Sequence, residues 1–196
     1  MTDRSMPIAV SEKHPEFRCR FMEVYSRRAV FDGYAKDYYV VSFRRRGGIV
    51  ATRDGKILLV RQYRFLTNGN SWELPGGTIE DHETVEAGLA RECLEETGVQ
   101  VRGLNTLLVY YPGLDNVDNQ TTICYTEDVS VEGKFQPDPA EVNAIEWIAL
   151  DECVDMIFRQ EILDAMTVSG ILGYAYRLRH MSTGSTIDVR DRRERA

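Results

Sequence analysis

Hydrophobic and polar positions change rhythm several times along the chain, and each change marks an element. Residues 17 to 46, FRCRFMEVYSRRAVFDGYAKDYYVVSFRRR, alternate aromatic, β-branched and basic side chains around a turn signal at Asp32-Gly33. That rhythm predicts a hairpin-like arm. The following GGIVATRDGKILLVRQYRF divides into two short strands about Asp54-Gly55, a dipeptide suited to a tight hairpin turn. From 84 to 96 the pattern turns helical. Thr84 suits the N-cap, Glu86 the first turn, and Gly98 the left-handed residue that ends a helix. Strands are expected near 104–110, 121–126 and 144–149. A second helix is expected from Asp151, with Val154, Ile157, Phe158, Ile162 and Met166 at near-helical spacing. The tail from Ser182 is polar and Arg-rich, the composition of a disordered segment. Strands on either side of an acidic helix predict an α+β or α/β sandwich.

Composition narrows the class. The 196 residues suffice for one ordinary domain, or one domain with an arm. With 43% hydrophobic and 28% charged residues the chain reads as soluble and globular. A net charge of −7 argues against sequence-independent nucleic-acid binding, which depends on neutralising phosphates. No apolar run approaches the roughly 18 residues of a membrane helix, and MTDRSMPIAVSEKHPEF lacks the apolar stretch of a signal peptide. Cys19, Cys93, Cys124 and Cys153 are scattered without a CxxC, so neither a disulfide frame nor a zinc site is indicated. A reducing cytosol is the expected compartment.

The acidic helix carries the chemistry. Glu92, Glu95 and Glu96 share a face at i, i+3 and i+4, where each like-charged pair costs about 0.2–0.5 kcal/mol in an isolated helix. One reading is a solvated helix face with Arg91 or Arg64 offsetting the repulsion. The other is a cation site. Gly76-Gly77 permit a tight loop whose carbonyl can face the same place, and carboxylates plus a carbonyl are hard donors suited to Mg²⁺ or Mn²⁺. Trp72, Tyr63 and Phe65, or Tyr25, Phe31 and Tyr34 of the arm, either stack on a base or pack within the protein. Arg44-Arg45-Arg46 either contact phosphate or end a strand in solvent. GIVATRDGKI lacks the spacing of a phosphate loop, and DNVDN lacks a calcium loop's ligand at Val117.

Gly77, Glu83, Arg91-Glu92, Cys93, Glu95-Glu96, Gly98 and Val99 fit G-x5-E-x7-R-E-U-x-E-E-x-G-U, with U apolar, at every specified position. The chain thereby resembles the Nudix hydrolases, which cleave a nucleoside diphosphate linked to another moiety. GKILLVRQYRF followed by WELPGG is similar to the ADP-ribose and ADP-sugar pyrophosphatase branch. The resemblance implies an α/β/α sandwich with a mixed sheet over 47–181. An N-terminal β arm over 1–46 would pair with a second subunit, and a tail over 182–196 would follow.

It implies Mg²⁺ or Mn²⁺ held by Glu92, Glu96 and the Gly76 carbonyl, with Glu95 either a ligand or a partner of one. Arg91 would orient the glutamates, Glu83 support them, and Glu141 act as base or stand as a solvated loop residue. Substrate contacts would come from Arg64 on the phosphates, with Tyr63, Glu73, Pro112, Gly113 and Leu114. Two features depart from the branch. Its LPAG reads LPGG here, putting Gly76 at the alanine position, and its SPG neighbourhood reads YYPGLDNVDN. The implied function is Mg-dependent hydrolysis of a nucleotide sugar, foremost ADP-ribose to AMP and ribose 5-phosphate. The alternatives are GDP-mannose or another nucleotide sugar as substrate, or a sensor that binds without cleaving.

Overall fold

The computed structural model describes residues 6–131, 138 and 141–181, the last by its backbone only, so the tail from Ser182 lies outside the described residues. In chain order the first strands are β1 (Ala9–Val10), β2 (His14–Arg18), β3 (Glu23–Phe31), β4 (Tyr34–Ser42), β5 (Arg46–Arg53) and β6 (Lys56–Arg64). Then come β7 (Gly69–Glu73), β8 (Gly76–Thr78), helix α1 (Val85–Thr97), β9 (Val99–Arg102), β10 (Asn105–Tyr110) and β11 (Val117–Asp118). The chain continues through β12 (Thr121–Thr126), β13 (Asp128–Val131), β14 (Ala144–Ala149), α2 (Leu150–Phe158) and α3 (Ala165–Met181).

These elements form two compact units. One takes the described residues up to Arg45 together with Tyr111–Gln120, the other Arg46–Tyr110 and the residues from Thr121 onward. In the first unit β3 and β4 form the expected hairpin, closed at Asp32-Gly33 with Gly33 at φ +93° and Phe31 stacked on Tyr34 at 4.7 Å. β1 and β2 both pair with β3, adding two short strands to the hairpin. β11, from the DNVDN stretch, runs parallel to β4 with Val117 opposite Val41.

In the second unit the sheet runs β10-β12-β5-β6-β14, with β7 beside β6 and β8 beside β5. β12 lies parallel to β5 and every other pairing is antiparallel, so the sheet is mixed. Successive strand residues point to opposite faces, and here both faces are covered. Ile49, Ala51 and Leu58 pack with Cys93 of α1 and with Val99 and Val101. Val50, Ile57 and Leu59 pack the other way, onto Cys153 and Met156 of α2, Ile162, and Met166 and Ile171 of α3. A sheet buried on both sides explains why IVA and ILLV read as unbroken apolar runs. Leu58 and Leu59 are fully buried, each burial contributing about 2 kcal/mol relative to exposure. The expected sandwich with a mixed sheet is what forms.

The single helix expected from Asp151 through Met166 is instead two. α2 stops at Phe158, Gln160 takes φ +61°, and a new helix starts at Ala165. Asp164 fixes that start, accepting 2.8 Å hydrogen bonds from the backbone N–H and hydroxyl of Thr167. The Thr167 oxygen in turn accepts the N–H of Leu74 at 3.0 Å, tying α3 to the segment just before Pro75-Gly76. α3 can lie close on the sheet because Gly170 carries no side chain. A Cβ there would come within 2.5 Å of Leu74 and 3.4 Å of Val50 and Ile123.

Candidate active site

α1 presents the acidic residues. Its caps are those the sequence indicates: Thr84 accepts the Ala87 N–H at 3.2 Å, and Gly98, at φ +69°, donates to the Leu94 carbonyl. Arg91, in the middle of the helix, is the hub. Its Nε donates to Glu83 at 2.8 Å, Nη2 to the other Glu83 oxygen at 3.0 Å, and Nη1 to Glu92 at 2.9 Å and Glu95 at 3.0 Å. Nη2 also donates to the Thr78 carbonyl at 3.2 Å, linking the helix to β8. The Arg91 hydrogen bonds, joined by one from the Glu80 N–H, hold the Glu83 carboxyl down at about 2. Glu92 behaves oppositely. Burial raises its pKa, with Arg91 only partly opposing the rise.

Glu96 turns away from this hub. Its two oxygens accept the Gly76 N–H and the Gln62 amide, each at 2.9 Å. Burial lifts its carboxyl to about 7 despite both hydrogen bonds. Gln62, on β6, also accepts a hydrogen bond from Arg64 Nη2. Arg64 grips Glu73 of β7 through two nitrogens, Nε at 2.7 Å and Nη2 on the other oxygen. Glu73 and Gln62 are buried at 5% and 7% exposure, while the Arg64 side chain is 45% exposed. A continuous chain of contacts therefore runs Glu73–Arg64–Gln62–Glu96–Gly76.

Glycines shape the floor. Gly76 adopts φ +154°, and a Cβ there would fall 2.2 Å from the Gly47 carbonyl oxygen, so only glycine fits where the branch carries alanine. A Cβ on Gly77 would meet the Glu92 carboxylate at 2.7 Å, so that glycine makes room for the acid.

The structure thus brings Glu92, Glu95 and Arg91 together, and separately Glu96, Gly76, Arg64 and Glu73. Tyr63 sits on the opposite face of β6 from Arg64, and its hydroxyl donates to Asn68. Trp72 packs on the α2–α3 side of the core, and Phe65 is 83% exposed. Pro112, Gly113 and Leu114 belong to the other unit, where the Gly113 carbonyl accepts the N–H groups of Asn116 and Val117. Glu141 is exposed and its N–H donates to the Asp138 carbonyl. Among the described residues no hydrogen bond joins its carboxylate to the α1 glutamates. Gln62 was absent from the sequence-derived set, although its period-two relation to Arg64 in VRQYR puts both on one face.

Three carboxylates, Glu83, Glu92 and Glu95, share the one guanidinium of Arg91, while a fourth, Glu96 of the same helix, is hydrogen-bonded to Gln62 and the Gly76 N–H. That surplus of charge on hard oxygen donors, with Glu92 and Glu96 both raised by burial, fits a divalent cation. In the arrangement seen, the donors face Arg91, Gln62 and the Gly76 N–H, and no cage of three His, Cys, Asp or Glu side chains stands ready among the described residues. A cation entering here exchanges one of those hydrogen bonds for a ligand.

The family pattern described as NUDIX domain matches residues 42–166, which contain every residue of this cluster. The chain belongs to the Nudix family. Among its Nudix relatives is the CMP-5'-(N-acetyl-N-hydroxy-3-aminopropyl)phosphonate hydrolase of Streptomyces rubellomurinus, 30% identical over 63% of this chain and 60% of that protein. The ADP-ribose pyrophosphatase of Bacillus subtilis is 28% identical over 63% of this chain and 67% of its own length. The ADP-sugar pyrophosphatase of Mus musculus is 30% identical over 65% of this chain and 61% of its own length. The chain thus spans about three-fifths of the first of these relatives. A solved structure described as an ADP compounds hydrolase superposes with a TM-score of 0.78 over 92% of this chain and 98% of that one, at 20% identity. At that identity the superposition speaks for the Nudix fold.

Proposed function

We propose that this protein hydrolyses the pyrophosphate bond of a nucleoside diphosphate sugar, with ADP-ribose the first substrate to test. Water adds to one phosphorus, the bridging oxygen leaves with the other phosphate, and ADP-ribose would give AMP and ribose 5-phosphate. The observation that carries this reading is the complete acidic motif on α1, whose Glu96 is fixed between Gly76 and Gln62 in the same contact chain as Arg64. The likeness to ADP-ribose and ADP-sugar pyrophosphatases supports the substrate class.

In this reading Glu92 and Glu96, with the Gly76 backbone, hold Mg²⁺ or Mn²⁺. The bound cation neutralises charge on the pyrophosphate and activates the attacking water. Arg64 meets a phosphate with its exposed guanidinium edge while Glu73 aims it. Arg91 holds Glu92 and Glu95 in register, and Glu83 anchors Arg91. Glu141 is the proposed proton acceptor, brought from the segment before β14. Assembly as a homodimer through the arm, in a reducing cytosol, completes the proposal.

The test is phosphate release, coupled to a phosphatase, from ADP-ribose, ADP-glucose, GDP-mannose, UDP-glucose and NADH, with Mg²⁺ or with a chelator. Metal-dependent cleavage favouring one nucleotide sugar is the expected result, and Glu96→Gln should lower it roughly 100-fold or more. Tight binding of a nucleotide sugar with no turnover would make the protein a sensor instead.

A further inference from the structure

Gln62 lies between two groups of opposite charge that each have work elsewhere. Its amide N–H donates to Glu96 at 2.9 Å, and its carbonyl oxygen accepts from Arg64 Nη2. It is buried, near the C-terminal end of β6 and opposite Ser71 of β7, so it is held there by the sheet. A side-chain amide can donate to a carboxylate and accept from a guanidinium at once, and glutamine is long enough to reach both here. A carboxylate at 62 would face Glu96 with like charge, and an ammonium would face Arg64. An apolar side chain at 62 would leave a cation and an anion with no polar group to engage either. In a half-buried setting such a pair closes readily, because the attraction is weakly screened. A direct Arg64–Glu96 ion pair would occupy the arginine needed for phosphate and the glutamate needed for the cation.

We propose that Gln62 is a positioning residue that keeps Arg64 and Glu96 apart, so that one stays available for an anion and the other for a divalent cation. The inference rests on the functional reading above. Glu73 serves the same end: its bidentate hold on the Arg64 guanidinium restrains it from turning to another carboxylate. Gln62 also connects the two halves of the site. A phosphate that draws Arg64 towards itself loosens the Arg64 hold on the Gln62 oxygen.

The test is a double-mutant cycle read on Mn²⁺ affinity, by calorimetry on the substrate-free protein, with Gln62→Met, Arg64→Ala and the double variant. Methionine matches glutamine in length without donating a hydrogen bond. Gln62→Met should weaken Mn²⁺ binding about tenfold or more, the range for losing a residue that orients a ligand, and should raise KM alongside. In the Arg64→Ala background the same substitution should change Mn²⁺ affinity far less, because no cation remains to capture Glu96. Thermal melts show that each variant is folded. An equal loss in both backgrounds would mean that Gln62 only orients Glu96, and the spacer role falls. Unchanged Mn²⁺ affinity in Gln62→Met would overturn it as well. Wild-type protein that binds no Mn²⁺ and cleaves no nucleotide sugar would remove the functional reading and the spacer with it. Binding and cleavage with an additive cycle would remove the spacer alone.

Discussion

Glu96 is held in a place that raises its cost of ionisation, and this makes a consequence for stability separable from one for activity. Its carboxyl stands at about 7 against an ordinary 4.5. Below about pH 4.5 it is protonated folded or unfolded and contributes nothing either way. Between 4.5 and 7 the folded chain holds the proton more tightly than the unfolded one, so stability falls as pH rises, and above 7 the full cost remains. At 1.36 kcal/mol per unit that cost is about 3 kcal/mol in the metal-free protein. Glu96→Gln removes the charge, so in a chelator its melting temperature should exceed the wild type's at pH 8 and match it at pH 4.5. A variant no more stable at pH 8 would show that Gln62 and Gly76 satisfy the charge in full. At this scale the grouping of Glu83, Glu92 and Glu95 around Arg91 was legible because their spacing is the signal, and Gly76 because two adjacent glycines mark a tight loop. Gln62 was not, since one glutamine in a strand has no spacing of its own.

At the scale of elements, α1 could be read almost to the residue because both of its ends are written in side chains, Thr84 and Gly98. α3 could not. Gly170 and Gly173 lower helix propensity and break the apolar period, yet they are what lets the helix lie on the sheet. An exposed Gly→Ala in a helix gains about 1 kcal/mol. Gly170→Ala should do the reverse, since its methyl would press on the buried Leu74 at 2.5 Å. Overpacking of this kind costs about 1–3 kcal/mol. A lowered melting temperature is expected, and an unchanged or raised one would show that Leu74 can yield. The break between α2 and α3 was also illegible, because Ile162 from the turn and Met166 from α3 reach the same core as they would from a continuous helix.

Across the whole molecule, IVA and ILLV were legible as two strands about Asp54-Gly55, whereas their burial on both faces and the placement of residues 111–120 with the arm were not. That pairing joins Val117 to Val41 across a long stretch of chain, and no local pattern announces it. No helix among the described residues is long and apolar enough to cross a membrane. The fold is held by a hydrophobic core, and Arg91 already supplies counter-charge to the acidic helix, so metal removal should not unfold it, unlike a zinc finger. On the proposed mechanism, Mg²⁺ at ten times its Kd would add only about 1.4 kcal/mol. A chelator should therefore abolish turnover while lowering the melting temperature by roughly 3–6 °C. Loss of the circular-dichroism signal on chelation would mean that the cation is structural.

The permanent charge of Arg91 then has a meaning for the protein's life in a cell. On the proposed mechanism, a shortage of free divalent cation would silence the molecule without unfolding it, since Arg91 is already paired with Glu83, Glu92 and Glu95 in the metal-free protein. Abundance and output would answer to different variables, the one to synthesis and turnover of the chain, the other to the ionic state around it.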